Sequence, residues 1–277
     1  MNLSITEQMQ YSTVRIEVRL KNGQISTGTG YFYKLCEDKE QHVPIVVTNK
    51  HVIAGGQTGM FKMTTSNPDN SPNDRKHMDV LLDDIENRFI GHPDPNIDLA
   101  ILPIAPILHE AEAKNERLFY IPIGADLLPT KQDLLEFTAV EDIIMVGYPN
   151  GIWDSVNNLP VFRKGITATH PSKDYNGKKE IMIDAACFPG SSGSPVFLCN
   201  LGSYQMKNGG TAIGSRIKFL GTLYAGPQHT ASGEIQVVKV PTKDVPLAIS
   251  GIPNNLGYVI KSEKLLDFEA FFPKPKA

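Results

Sequence analysis

The sequence predicts an all-β protein. Short stretches of β-branched and aromatic residues alternate with polar residues, as in "STVRIEVRL" (12–20) and "VPIVVTN" (43–49), and glycine, proline and asparagine separate the stretches. Many short strands with turn residues between them are typical of a β-sandwich or a β-barrel. Two segments favour helix instead, at 128–137 and 261–272. The second repeats apolar residues at helical spacing, which predicts a C-terminal helix packed on the barrel.

Length and composition are those of an ordinary globular protein. The chain has 277 residues, 41% hydrophobic and 21% charged, and a formal net charge of −3. Without a basic block, a nucleic-acid partner is not expected. The sequence shows no signal-like leader and no long apolar run, and its three cysteines are too few and odd in number for a disulfide framework. We therefore expect a cytoplasmic protein without a membrane partner. No metal-ligand spacing or nucleotide-binding loop appears, and no cofactor is expected.

The strands fall into two groups of similar number, with the boundary near residues 125–135. This division predicts an N-terminal unit over 10–127 and a second unit over 128–260, followed by the helix and tail at 261–277. A chain of this length suits either one large domain or two domains of about 100–150 residues.

The stretch "DAACFPGSSGSPVF" (184–197) crowds serines and glycines between apolar runs. Within it, Gly190, Ser192, Gly193 and Pro195 form the pattern G-x-S-G-x-P. Glycines permit unusual backbone angles, so neighbouring N–H groups can converge on one point, as an oxyanion hole requires. The pattern alone is also compatible with an ordinary turn.

A serine nucleophile needs a base, and the base needs an orienting carboxylate. His51 in "IVVTNKHVIAGG" directly follows an apolar strand, where a rigid element would present its ring. Asp98 in "NIDLAILPI" directly precedes another apolar strand, while Asp94 in "HPDPN" is typical of a turn. Taken singly, a structural histidine and a turn aspartate remain the alternatives.

The motifs "TNKHVI", "DLAIL" and "PGSSGSPVF", in the order His, Asp, Ser, resemble those of the trypsin-like (chymotrypsin-fold) serine peptidases. The bacterial glutamyl-endopeptidase and high-temperature-requirement branches are the most similar. The resemblance implies two six-stranded antiparallel β-barrels. It also implies that Ser192 is the nucleophile, His51 the general base and Asp98 its orienting partner. The N–H groups of Gly190 and Ser192 would form the oxyanion hole.

The same resemblance implies a pocket for the P1 side chain, the substrate residue before the cleaved bond. Ala186 at its floor is not a carboxylate, which disfavours cleavage after Lys or Arg. The wall strand lacks the histidine of the glutamyl endopeptidases, although His229 keeps a preference for Glu open. A neutral P1 residue of small or medium size is therefore expected. The residues expected to bind it are Ala186, Cys187, Phe188, Leu223, Tyr224 and Ala225.

These observations favour a serine endopeptidase acting on a protein or peptide substrate. The alternative is a latent or catalytically silent peptide-binding module of the same fold, activated or used through a regulatory partner. Two long loops, 149–160 and 200–216, are candidate gates because of their length.

Overall fold

The computed structural model describes residues 3–38, 41–234 and 247–272, so the predicted tail at 273–277 lies outside the described residues. The chain is mostly β. The strands of the first half are β1 (Thr13–Leu20), β2 (Ile25–Asp38), β3 (Gln41–Thr48), β4 (Gly56–Ser66), β5 (Pro72–Asp83), β6 (Ile90–Gly91), β7 (Ala100–Pro103) and β8 (Leu118–Phe119). Those of the second half are β9 (Asp142–Gly147), β10 (Val161–Thr167), β11 (Glu180–Asp184), β12 (Pro195–Asn200), β13 (Ser203–Gln205), β14 (Thr211–Ile213), β15 (Arg216–Ala225), β16 (Gln228–Glu234), β17 (Leu247–Pro253) and β18 (Leu256–Lys261).

Helices are short. The α-helices are α1 (Ile5–Gln10), α2 (Lys50–Ile53), α3 (Ile85–Arg88), α4 (Ala105–Ala113) and α5 (Lys131–Glu136). The 3-10 segments are Ala125–Leu127, Pro149–Gly151 and Ser262–Phe271. The last of these is the predicted C-terminal helix, which is a 3-10 helix and buries Leu265 and Phe268 in the core.

The second half closes into a six-stranded antiparallel barrel, as predicted, in the order β10-β11-β18-β15-β12-β9. The first half does not close, and the prediction of a second six-stranded barrel is wrong in this respect. It is an open eight-stranded sheet in the order β5-β4-β1-β2-β3-β7-β6, with β8 paired to β4. The edge strand β6 has two residues, too few for a ladder with β5, and α3 follows β5 directly. Ile85 of α3 is fully buried and fills the space left above Gly56 and Gly59.

Strand alternation divides the core into three clusters. On β2, Tyr31, Tyr33 and Leu35 face a cluster shared with the second half, which includes Phe197 and Phe219. Phe32, between them, faces a separate cluster within the first sheet. A third cluster fills the closed barrel. β2 therefore packs against the second half with one face and against the core of the first sheet with the other.

Candidate active site

His51 lies on α2, immediately after β3. Asn49 between these elements is buried, and its side-chain amide donates a hydrogen bond of 2.6 Å to the backbone oxygen of Asp98. About half of the His51 side chain remains exposed. A short rigid connection thus fixes the backbone of His51 while its ring stays accessible.

Asp98 lies in the loop between β6 and β7, and the His92 N–H closes this loop on the Leu99 carbonyl at 2.8 Å. One carboxylate oxygen of Asp98 accepts the backbone N–H of His51 at 3.1 Å. The other lies 2.5 Å from His51 Nδ1. An ionised carboxylate only accepts hydrogen bonds, so Nδ1 carries the proton and Nε2 is left as the acceptor. The arrangement suits His51 to act as a base through Nε2.

The loop that carries the serines consists of two consecutive tight turns. Ser191 N–H bonds the Phe188 carbonyl and Ser194 N–H bonds the Ser191 carbonyl, each at 3.0 Å. In both turns the third residue is a glycine with positive φ, +86° at Gly190 and +87° at Gly193. Type II turns need positive φ at this position, and Pro189 before Gly190 suits the second position. The glycines and the proline of PGSSGS therefore stand at the positions where two consecutive type II turns favour them.

Each carbonyl from Pro189 to Ser192 has a donor. Asn150 N–H donates to the Pro189 carbonyl at 2.5 Å, and Ser194 N–H to that of Ser191. Both remaining donors belong to one residue of β2, Thr29. Its hydroxyl donates to the Gly190 carbonyl at 3.0 Å, and its N–H donates to the Ser192 carbonyl at 2.8 Å.

Within the part of the chain that the structure describes, the N–H groups of Gly190 and Ser192 have no acceptor, unlike those of Ser191, Gly193 and Ser194. In a trans peptide the C=O and N–H point in opposite directions. Holding the Pro189 and Ser191 carbonyls therefore turns the N–H groups of Gly190 and Ser192 away from those contacts. Two neighbouring unpaired donors are what a developing oxyanion requires.

The three serines of the loop differ in accessibility. Ser191 and Ser194 are buried, at 1% and 0% exposure, and Ser194 Oγ contacts the Thr29 hydroxyl at 3.3 Å. Ser192 is partly exposed and lines a small cavity. Accessibility thus favours Ser192 among the three.

The cavity beside Ser192 has a volume of about 110 Å³. Its lining residues are Cys187, Phe188, Pro189, Ser192, Leu223, Ala225, Gly226 and Pro227. Of the residues expected to bind a P1 side chain, Ala186 and Tyr224 are not in this lining, and Pro189, Gly226 and Pro227 were missed. Tyr224 sits at a register shift between Leu223 and Ala225, with its ring 6.2 Å from that of Tyr258.

Burial raises the pKa of the Cys187 thiol to about 12, so the thiol is neutral at physiological pH. The positive charge of Arg163 lowers this pKa and the negative charge of Asp184 raises it, both by less than burial does. The Arg163 guanidinium lies over the Phe188 ring, 5.3 Å from its centroid. The residues that line the cavity are thus uncharged, and a cation stacks on the ring of one of them.

The two candidate gate loops make different contacts. Loop 149–160 lies on the first sheet, where Arg15 Nε donates to the Gly151 carbonyl at 3.2 Å. Loop 200–216 forms the β13-β14 hairpin, and Lys207 donates to the Leu135 carbonyl of α5 at 2.8 Å. The first loop therefore adjoins the candidate site through Asn150, while the second contacts α5. The side chain of His229 lies outside the described residues.

Across residues 3–38, 41–234 and 247–272, no helix has the length and apolar character needed to cross a membrane. Among the described side chains, which are those of residues 3–38, 41–227 and 254–272, no three of histidine, cysteine, aspartate or glutamate form a group that could hold a metal ion.

The trypsin-like peptidase domain model matches residues 28–203, well over half of the chain. No curated protein sequence matches. Among solved structures, the HtrA-type protease AlgW with a tripeptide is 14% identical, with a TM-score of 0.49. The alignment covers 96% of this chain and 61% of AlgW, so the chain spans about three fifths of AlgW's length. An inactive form of Rv3671c from M. tuberculosis is 15% identical, with a TM-score of 0.43 over 99% of this chain and 92% of that one. The match to the domain model shows that the chain belongs to the trypsin-like peptidase family.

Proposed function

We propose that the chain is a serine endopeptidase that hydrolyses peptide bonds through an acyl-enzyme. Ser192 is the nucleophile, His51 the general base and then acid, and Asp98 the residue that orients His51. The observation that carries the proposal is the conjunction at Ser192: it is the accessible serine of the loop, and its own N–H and that of Gly190 are unpaired among the described residues.

The chemistry follows from these positions. Ser192 Oγ attacks the substrate carbonyl carbon while His51 Nε2 takes the hydroxyl proton, and the carbonyl oxygen becomes an anion held by the two N–H groups. When the tetrahedral intermediate collapses, the C–N bond breaks and His51 gives its proton to the leaving amine. Water, deprotonated by His51, then attacks the Ser192 ester; the bond to Ser192 Oγ breaks, and His51 returns the proton to this oxygen as the acid leaves. The same groups would hydrolyse esters, so the choice of peptides rests on family membership.

The cavity supports a neutral P1 residue of small or medium size. We expect a P1-diverse peptide library to be cleaved chiefly after residues such as Ala, Val or Leu. The reason is that the space of about 110 Å³ is small and that none of its lining residues offers a carboxylate for Lys or Arg. Mass spectrometry of the products gives the preference directly. Predominant cleavage after Glu would contradict this expectation and point to Arg163 as the cation that the pocket uses.

A fluorophosphonate probe tests the proposed function without knowledge of the substrate, because it labels activated serines. We expect the native protein to be labelled, with the modified peptide mapped to Ser192 and not to Ser191 or Ser194. Heat-denatured protein and Ser192→Ala serve as controls and should stay unlabelled. Absence of labelling in the native protein would reject the active enzyme and favour the latent or silent peptide-binding module. Labelling that persists in Ser192→Ala would reject the assignment of the nucleophile.

A further inference from the structure

Thr29 touches the serine loop from the opposite half of the molecule. It lies on β2 of the open sheet and is fully buried. We propose that Thr29 is a positioning residue: it holds the Gly190–Ser191 and Ser192–Gly193 peptides, which adjoin the two oxyanion-hole peptides, and so keeps the latter in their donating orientation. This inference rests on the proposed function and adds to it a residue that never touches the substrate.

The hydroxyl of Thr29 has its full set of hydrogen bonds. A hydroxyl offers one donor and two acceptor lone pairs. Thr29 Oγ1 donates to the Gly190 carbonyl at 3.0 Å. It accepts the Tyr148 N–H at 3.1 Å and the Ser194 hydroxyl at 3.3 Å. The two turns and the end of β9 are therefore all hydrogen-bonded to one oxygen atom.

The backbone of Thr29 extends the same connection toward the base. Its N–H donates to the Ser192 carbonyl at 2.8 Å. Its carbonyl accepts the Thr48 hydroxyl at 2.7 Å, and Thr48 ends the strand that leads to His51. One buried residue therefore fixes the serine loop relative to the strand that carries His51.

The serine loop and the end of β9 approach Thr29 so closely that a side chain would not fit on the glycines at the contact. A Cβ atom on Gly193 would lie 1.9 Å from the Thr29 backbone oxygen. A Cβ on Gly147, at the end of β9, would lie 2.7 Å from Thr29 Oγ1. The contact across the two halves is thus made by close backbone approach, which glycines at both positions allow.

The consequence for catalysis concerns peptide orientation. Pinning the Gly190 carbonyl to Thr29 prevents the Gly190–Ser191 peptide from rotating, while Asn150 prevents rotation of the Pro189–Gly190 peptide. Because glycine has the freest backbone of all residues, Gly190 needs such restraints to keep its N–H converged with that of Ser192. Loss of the hydroxyl would loosen the two donors without touching the substrate pocket.

The test compares Thr29→Val, which is isosteric but lacks the hydroxyl, with Thr29→Ser, which keeps it. Thr167→Val is the matched control. Thr167 is also fully buried, and its hydroxyl donates to the Ala139 carbonyl at 3.0 Å and accepts the Glu141 N–H at 2.9 Å. Thr167 is the last residue of β10, next to Ile166, which pairs with Asp142 at the start of β9, whereas Thr29 lies near Gly147 at the other end of β9. Thr167→Val therefore removes an equivalent buried hydroxyl far from the serine loop.

We expect Thr29→Val to lower kcat between about 10- and 100-fold, with KM within about twofold of native. The inhibition constant of a peptide aldehyde, whose hemiacetal oxyanion needs the same donors, should rise by a similar factor. The pH profile should keep its shape because the His51–Asp98 pair is untouched. Thr29→Ser should recover most of kcat. Thr167→Val should lose stability in urea denaturation and keep native kcat.

Native kcat in Thr29→Val, or an equal loss of kcat in Thr29→Ser and Thr29→Val, would overturn the proposal. If Thr29→Val does not fold, Thr29→Ala takes its place. If the native protein hydrolyses no peptide, the proposed function is rejected instead. The role of Thr29 is then tested by NMR spectroscopy of the native protein and Thr29→Val. The amide signals and hydrogen exchange of Gly190 and Ser192 should change in the valine variant. Unchanged signals would overturn the role of Thr29 independently of activity.

Discussion

Asp98→Asn is expected to lower kcat by about 10⁴-fold while the fold is retained. The two contacts of Asp98 explain why an isosteric change has so large an effect. The His51 backbone N–H needs an acceptor, so the amide oxygen of asparagine must take that contact. The amide nitrogen then faces His51 Nδ1, where the carboxylate oxygen now lies at 2.5 Å. An NH₂ group there forces Nδ1 to accept and moves the ring proton to Nε2, which can no longer take the proton of Ser192.

Asp94→Asn is the matched control for this prediction. Asp94 lies in the same loop, and its carboxylate accepts the Asn96 N–H at 2.9 Å. The same change of side chain should therefore leave kcat within about twofold of native. Thermal unfolding of both variants separates catalysis from stability. Activity of Asp98→Asn within tenfold of native would show that Asp98 does not set the tautomer of His51.

Much of the fold could be predicted from the sequence because local signals agree with the final structure. Strand alternation and turn residues indicated the β architecture, and Pro189, Gly190 and Gly193 are residues that the two turns require. The resemblance to the trypsin-like peptidases implied that Asp98 orients His51, and the structure has the two side chains in contact. The catalytic role of these residues stays a prediction until the variants are measured.

The sequence could not predict that the first sheet stays open, because closure depends on whether the edge strands β5 and β6 reach each other. No pattern in the residues around Ile90 predicts that the strand there has only two residues. The burial of Ile85 against Gly56 and Gly59 is a long-range fit that strand periodicity does not express. Sheet closure is therefore a property of packing and not of any one segment.

Two residues of the cavity lining, Gly226 and Pro227, and the buried Thr29 were not among the expected site residues. Gly226 and Pro227 follow the wall strand directly and could have been found by extending it two residues. Thr29 stands between two glycines in "STGTGYFY", and nothing in this stretch marks it as a site residue. Its partners Gly190 and Tyr148 are more than 100 positions away, and a single sequence holds no signal that joins them.

Gly193→Ala should destabilise the protein strongly as well as inactivate it. Alanine at φ +87° carries the cost of a left-handed backbone, about 1–2 kcal/mol. Its Cβ would also lie 1.9 Å from the Thr29 backbone oxygen, an atom of a buried strand that cannot swing aside. Together these effects should lower the free energy of unfolding by roughly 3 kcal/mol or more, measured by urea denaturation. Displacement of Ser192 should lower kcat by at least about 10²-fold.

Gly209→Ala separates the two causes. Gly209 has nearly the same backbone angle, φ +86°, but a Cβ there would meet nothing within 4 Å. It should therefore show the backbone cost alone, about 1–2 kcal/mol, with native kcat. The difference between the two variants measures how tightly the serine loop is held against β2. If Gly193→Ala lost no more stability than Gly209→Ala, the two halves would be free to separate at Thr29. The close approach on which the positioning of Ser192 depends would then be absent.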